Sequence, residues 1–284
     1  MLEYLGLRFV QATVAIMPRA MLMWVGRRMG DGLWLSRIRQ RVVRQNLEFV
    51  GQLPPEQRPP MIHALCRNMG CYMVDVLRSP VEIAHYHDEG EITIEGLRNS
   101  TRGTLIVFSH LGNWELLLSV LATKLDNLAV VAKAMKNPLV DDWLRERRQR
   151  CGWRILPPDN VVRRAKRIIT DGGAVAIAID QWPGDTGSPS EFLGRMTRTA
   201  RSAAGLALMT GCRVVAAHAI LEADGRYRIR LQDLAWRSEL PADRRESVEL
   251  LQAHHNREIS AIIAAQPEHW FGWFHRRFKD GIAY

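Results

Sequence analysis

Three short runs constrain the fold more than anything else in this chain. Residues 104–109 (TLIVFS), 174–180 (AVAIAID) and 213–221 (RVVAAHAIL) are almost continuously apolar. Runs of that length, unbroken by polar alternation, suit strands covered on both faces, as in a parallel sheet. Residues 128–133 (LAVVAK) read as a further strand, and 92–97 (ITIEGL) alternates like a half-buried one. Helical patterns at 113–125, 137–149, 161–170 and 200–210 separate them, and a long one follows at 244–265. Residues 227–231 (YRIRL) form a strand joined to 213–221 through the Asp224-Gly225 turn. Strands alternating with helices predict an α/β sandwich around a mostly parallel mixed sheet flanked by helices.

The first third reads differently. Residues 9–25 are apolar but interrupted by Pro18 and Arg19, too broken for a confident spanning helix, which needs about 20 apolar residues. A helix lying at a membrane interface, or a marginal single span, fits better than a signal peptide. Arg27, Arg28, Arg37, Arg39, Arg41 and Arg44 follow, as on the cytoplasmic flank of a membrane segment. Helices are predicted at 33–50 and 61–77, with prolines 54, 55, 59 and 60 between them and Ser79-Pro80 ending the second. This gives a membrane-associating helical segment, residues 1–50, and an α/β domain, residues 51–284.

The net charge of +9 calls for an anionic partner, either nucleic acid or an acidic membrane surface. No helix-turn-helix, RNA-recognition or zinc-finger pattern supports nucleic acid. Cys66, Cys71, Cys151 and Cys212 form no Cys-x-x-Cys pair, so they read as buried, reduced thiols and not as metal ligands.

The chemistry concentrates in FSHLGNWE, residues 108–115. A buried strand ends, a histidine follows at once, then a glycine and a helix start. Open α/β sheets place ligands at such strand ends. Gly112 permits a tight bend and Asn113 can cap the helix. With His110 in the turn and Glu115 in the first helical turn, the carboxylate is expected to orient one ring nitrogen and stabilise the imidazolium. His110 is then a general base. Ser109 points away by strand alternation, so no covalent intermediate and no metal are expected.

His-x-x-x-x-Asp/Glu after a buried strand resembles the mark of the glycerolipid acyltransferases, and HLGNWE resembles their lipid A biosynthesis branch, the lauroyl and myristoyl transferases. Other segments resemble that branch too: Arg44-Gln45-Asn46-Leu47; Asn137-Pro138-Leu139 with Arg148 and Gly152; Asp180-Gln181; Phe192-Leu193-Gly194; and PEHWFGWFHRRFK at 267–279. The resemblance spans nearly the whole chain. It departs at Arg201-Ser202-Ala203-Ala204, where the family often begins a helix with Gly-Pro-Ala-Arg.

The resemblance implies a glycerol-3-phosphate acyltransferase-like sandwich and O-acyl transfer from an acyl carrier protein or coenzyme A thioester to a glycolipid hydroxyl, with no cofactor beyond that donor. It implies work at the cytoplasmic face of the bacterial inner membrane on an anionic acceptor such as a lipid A precursor. Phosphatidylinositol mannosides or lysophospholipids are alternative acceptors, and a non-catalytic basic membrane-binding protein is the alternative outside enzymes. Arg148 is expected to stabilise the oxyanion or hold a phosphate. Asn113, Asp180 and Gln181 are expected to line the cleft. His275, Arg276 and Arg277 either clamp acceptor phosphates or form a surface face, with Trp270 and Trp273 either at the membrane interface or in the core.

Overall fold

The computed structural model describes residues 2–78, 86–100, 102–236 and 240–284. Its helices are α1 (Leu2–Ala15), α2 (Arg19–Ser36), α3 (Gln40–Val50), α4 (Arg58–Arg78), α5 (Ile94–Arg98), α6 (Trp114–Lys124), α7 (Pro138–Arg150), α8 (Val161–Thr170), α9 (Ser202–Thr210) and α10 (Arg244–Ala265). Its strands are β1 (Tyr86–Asp88), β2 (Thr104–Gly112), β3 (Leu128–Val131), β4 (Arg154–Leu156), β5 (Ala174–Ala178), β6 (Ser188–Phe192), β7 (Arg195–Thr199), β8 (Arg213–Leu221) and β9 (Tyr227–Asp233).

The main sheet runs β1-β9-β8-β2-β5-β3-β4. Every neighbouring pair is parallel except β8 with β9, which the Asp224-Gly225 turn joins as an antiparallel hairpin. The apolar runs therefore do form the buried centre: β2 lies between β8 and β5, and Leu105, Ile106 and Val107 are wholly enclosed.

Two predicted elements differ. Residues 92–97 do not form a strand. Thr93 caps the short helix α5, its hydroxyl accepting from the Gly96 N–H at 3.0 Å while Asp88 accepts from the Ile94 N–H at 2.6 Å. Ile92, Ile94 and Leu97 are all buried, but within α5 the buried pair Ile94 and Leu97 is spaced three apart, so the cap decides for helix where alternation suggested strand. The predicted helix over 33–50 is two helices. Arg37 and Arg39 both adopt left-handed backbone conformations at the break, and the turn aims Val43, Leu47 and Val50 of α3 into the main core. Ser79-Pro80, expected to end α4, lies outside the described residues.

The hairpin β6–β7 went unread in the sequence. Its inward positions are Ser188, Ser190, Phe192, Thr197 and Thr199, so burial alternates with only one apolar side chain to mark it. Leu193 and Gly194 form its two-residue turn with positive φ, where a Phe-x-Gly turn was expected.

Helix α2 crosses α4 with backbones in direct approach at Gly26, Gly30 and Gly70. A Cβ on Gly30 would stand 2.4 Å from the Arg67 Cα, and one on Gly70 would stand 2.0 Å from the Gly26 carbonyl oxygen. Among the described residues no helix is long and apolar enough to cross a membrane. All four cysteines are free and buried.

Candidate active site

The site grows from a break in the ladder at the end of β2. Pairing with β8 runs regularly from Thr104 to Phe108, then shifts, so that Gly112 faces Ala219. Gly112 has φ +65°, and a Cβ there would meet the Ala219 carbonyl oxygen at 1.9 Å. Only glycine fits. The bulge turns His110 out of the sheet, and the neighbouring strand β5 delivers its partner.

That partner is Asp180, not Glu115. Asp180 Oδ1 lies 2.9 Å from His110 Nδ1, and Oδ2 accepts from the His110 backbone N–H and the Trp270 indole N–H, both at 2.8 Å. An ionised carboxylate only accepts, so Nδ1 carries the proton and Nε2 presents its lone pair. Burial disfavours the Asp180 carboxylate, but the His110 ring and these donors outweigh it and hold its pKa well below the usual range. Burial likewise disfavours the His110 imidazolium. The Asp180 charge and hydrogen bond overcome this, with a smaller contribution from Glu115, and the pKa ends above its ordinary value.

Glu115, expected to orient the imidazole, instead faces Arg148. The guanidinium straddles the carboxylate, Nε to Oε2 at 3.1 Å and Nη2 to Oε1, and stacks over Trp153 with its carbon 4.9 Å from the ring centroid. The reason is geometric: the helix that starts at Trp114 aims its second residue toward α7, while the turn aims His110 at β5. The five-residue spacing thus separates the two side chains. Trp114, the first residue of that helix, meets the imidazole edge-on with ring centroids 4.8 Å apart.

Asn113 is buried. It caps α6, its Oδ1 accepting from Leu116 N–H at 3.0 Å, while Nδ2 donates to the Tyr227 hydroxyl at 3.1 Å. Both amide groups thus face protein, which corrects the expectation of a substrate contact. Gln181 is more open: its Nε2 lies 3.4 Å from His110 Nε2.

The C-terminal cations divide. His275 packs edge-on against Phe271, centroids 5.0 Å apart, and Phe271 in turn meets Trp114 at 5.5 Å. Burial, then a positive charge on His110, depress the His275 pKa. Arg276 is exposed beside Tyr284. Arg277 is 1% exposed and donates to the Arg198 carbonyl and, at 2.8 Å, to Thr199 Oγ1, with Phe192 beneath it. It holds the β6–β7 hairpin and is no phosphate clamp. Trp270 and Trp273 are core residues, not interface anchors.

Sequence reasoning placed Asp180 near the cleft but missed that it is the imidazole's partner. The available signal was a strand-end aspartate on the strand next to β2. Tyr227, which holds Asn113, carried no signal beyond its place in a strand.

No curated protein matches this chain. A family model described as bacterial lipid A biosynthesis acyltransferase matches residues 1–280. With nearly the whole chain matched, the protein belongs to the bacterial lipid A biosynthesis acyltransferase family.

Proposed function

We propose that the protein transfers a fatty acyl chain from a thioester, on acyl carrier protein or coenzyme A, to a hydroxyl of a lipid A precursor, with His110 as general base and no covalent acyl-enzyme. The observation that carries this reading is the His110–Asp180 contact: a buried carboxylate fixes the tautomer and leaves the Nε2 lone pair facing the exposed Gln181 amide at the strand end.

In this reading Nε2 takes the acceptor hydroxyl proton as the oxygen attacks the thioester carbon. Asp180 stabilises the imidazolium through Nδ1, as in Ser-His-Asp enzymes. The tetrahedral intermediate collapses, the C–S bond breaks, and the proton passes from Nε2 to the leaving sulfur. Gln181 Nε2, beside His110 Nε2, is placed to donate to a reacting oxygen. The Glu115–Arg148 pair acts at one remove, the carboxylate favouring the imidazolium and the guanidinium opposing it. His275 borders the same aromatic wall and is a candidate contact for the acceptor or donor.

The lipid acceptor implies work at a membrane, at the cytoplasmic face of the bacterial inner membrane. Support comes from α1, α2 and the turn between them, which expose Leu5, Phe9, Ile16, Met21 and Trp24 beside the exposed Arg8, Arg27 and Arg28. Apolar side chains among arginines suit peripheral attachment to anionic headgroups, at about 1 kcal/mol per basic residue near the surface.

The test compares wild type with His110→Ala, using labelled acyl carrier protein and coenzyme A thioesters in parallel and a lipid A precursor in anionic vesicles. Wild type should transfer label and the variant should lose at least ~10³-fold while still sedimenting with vesicles. Equal labelling by both proteins sinks the assignment.

A further inference from the structure

A continuous run of hydrogen bonds joins the N-terminal helices to the turn that bears His110. Arg19, the first residue of α2, forms a salt bridge with Asp75 of α4 and also donates to the Gly225 carbonyl at 2.8 Å. The other Asp75 oxygen accepts from the Tyr227 hydroxyl at 2.6 Å. The Tyr227 oxygen accepts from Asn113 Nδ2, and Asn113 Oδ1 accepts from the Leu116 N–H.

The direction of each bond follows from the first. A carboxylate has only acceptors to offer, so the Tyr227 hydroxyl must donate to Asp75. Its oxygen is then left to accept, and the amide of Asn113 turns its NH2 toward it. The amide oxygen consequently faces the helix and caps it. Burial, then the Asp75 charge, push the Tyr227 pKa well up, so the phenol keeps the proton it donates. Were the amide reversed, Asn113 would present its NH2 to the Leu116 N–H, donor against donor, and the first turn of α6 would lose its cap. That turn carries Trp114, which packs on His110, and Glu115, which holds Arg148.

We propose that Asp75 and Tyr227 are positioning residues for acyl transfer: the Asp75 carboxylate sets the direction of the Tyr227 hydroxyl, which sets the Asn113 amide and hence the helix turn against which His110 rests. This rests on the proposed acyl-transfer reading, although one of its readouts does not need turnover. Neither residue touches the reacting atoms. Tyr227 is wholly buried, 1% exposed, and acts only through Asn113.

The test uses Tyr227→Phe, which removes one hydroxyl and keeps the ring, in the full-length protein. It should lower kcat about tenfold with KM for donor and acceptor within about twofold, since an interaction is lost that shapes the site and not the binding surface. Ser188→Ala is the control. It also removes a buried hydroxyl contact, that with Gln252 at 2.8 Å, and should leave kcat within about twofold. In an Asn113→Ser background, where a hydroxyl caps the helix without needing to be oriented, adding Tyr227→Phe should cost less than about twofold. Amide hydrogen exchange gives the readout independent of turnover: Leu116 N–H should exchange about tenfold faster in Tyr227→Phe and unchanged in Ser188→Ala. Equal kcat losses in Tyr227→Phe and Ser188→Ala overturn the proposal. So does a full loss persisting in the Asn113→Ser background, or unaltered exchange at Leu116. Absence of transfer by the wild type would count against the proposed function, and the exchange result would still decide this inference.

Discussion

The stretch 110–115, from the bulged end of β2 into the first turn of α6, and the segment 275–279 both carry dense polar sequence, and they spend it in opposite ways. In the stretch 110–115, neighbours scatter: His110 goes to Asp180, Asn113 to Tyr227 and Glu115 to Arg148, so three residues of one hexapeptide recruit three separate elements. In the segment, the side chains sort by burial. His275 faces the aromatic wall, Arg277 runs into the core, and Arg276 and Lys279 stay outside. The contrast teaches that the first stretch positions chemistry by long-range pairing, whereas much of the C-terminal cluster positions structure. A charge-rich motif is not one site.

The sharpest way to break that contrast is to set the two carboxylates against each other. Asp180→Asn removes the acceptor that fixes Nδ1–H and is expected to lower kcat by about 10³-fold or more, while Glu115→Gln, one step removed, should cost about tenfold. Because both carboxylates raise the His110 pKa, Asp180 more strongly, the acid limb of kcat/KM should move to lower pH in each variant, and further in Asp180→Asn. A larger loss in Glu115→Gln than in Asp180→Asn would reinstate the spacing-based pairing.

A second comparison divides the C-terminal arginines. Arg277→Met removes the donor to the Arg198 carbonyl, leaves the Thr199 hydroxyl with Asn256 alone and removes a packed guanidinium, so urea unfolding should show a loss of about 2–4 kcal/mol. Arg276→Met should stay within about 0.5 kcal/mol. Equal costs would mean that burial does not separate the two roles.

The smallest effect concerns histidines outside the site. His218 and His255 are buried, with Nε2 atoms that have no hydrogen-bond partner among the described residues. Burial first, then nearby positive charge, pushes each pKa down to about 4. The unfolded chain takes up these protons below about pH 6.5 and the folded chain resists until about pH 4, so stability is complete above the first value and lost as pH falls toward the second. Unfolding free energies measured between pH 7 and pH 4 should fall, and the slope should flatten in His218→Phe. An unchanged slope would show that His218 titrates alike in both states.

The sheet was legible because strands covered on both faces must be apolar throughout, and 161–170 was legible as α8 because its apolar periodicity is strong. The β6–β7 hairpin was not, since it buries hydroxyls, and neither was α5, where a cap overrode alternation. His110 could be found from its strand-end place and Gly112. Its partner could not be fixed, because which of two acids reaches an imidazole depends on the twist between strands, which spacing along the chain does not encode. Arg277 and Arg276 are adjacent and chemically identical, so only packing tells them apart.

Where α2 meets α4 at Gly26, Gly30 and Gly70, main chain rests directly on main chain. Contacts between side chains can be retuned by a rotamer; this one has no such slack. A side chain introduced at Gly30 or Gly70 would have to force α2 and α4 apart, and the Arg19–Asp75 ion pair that bridges the same two helices would be strained with them.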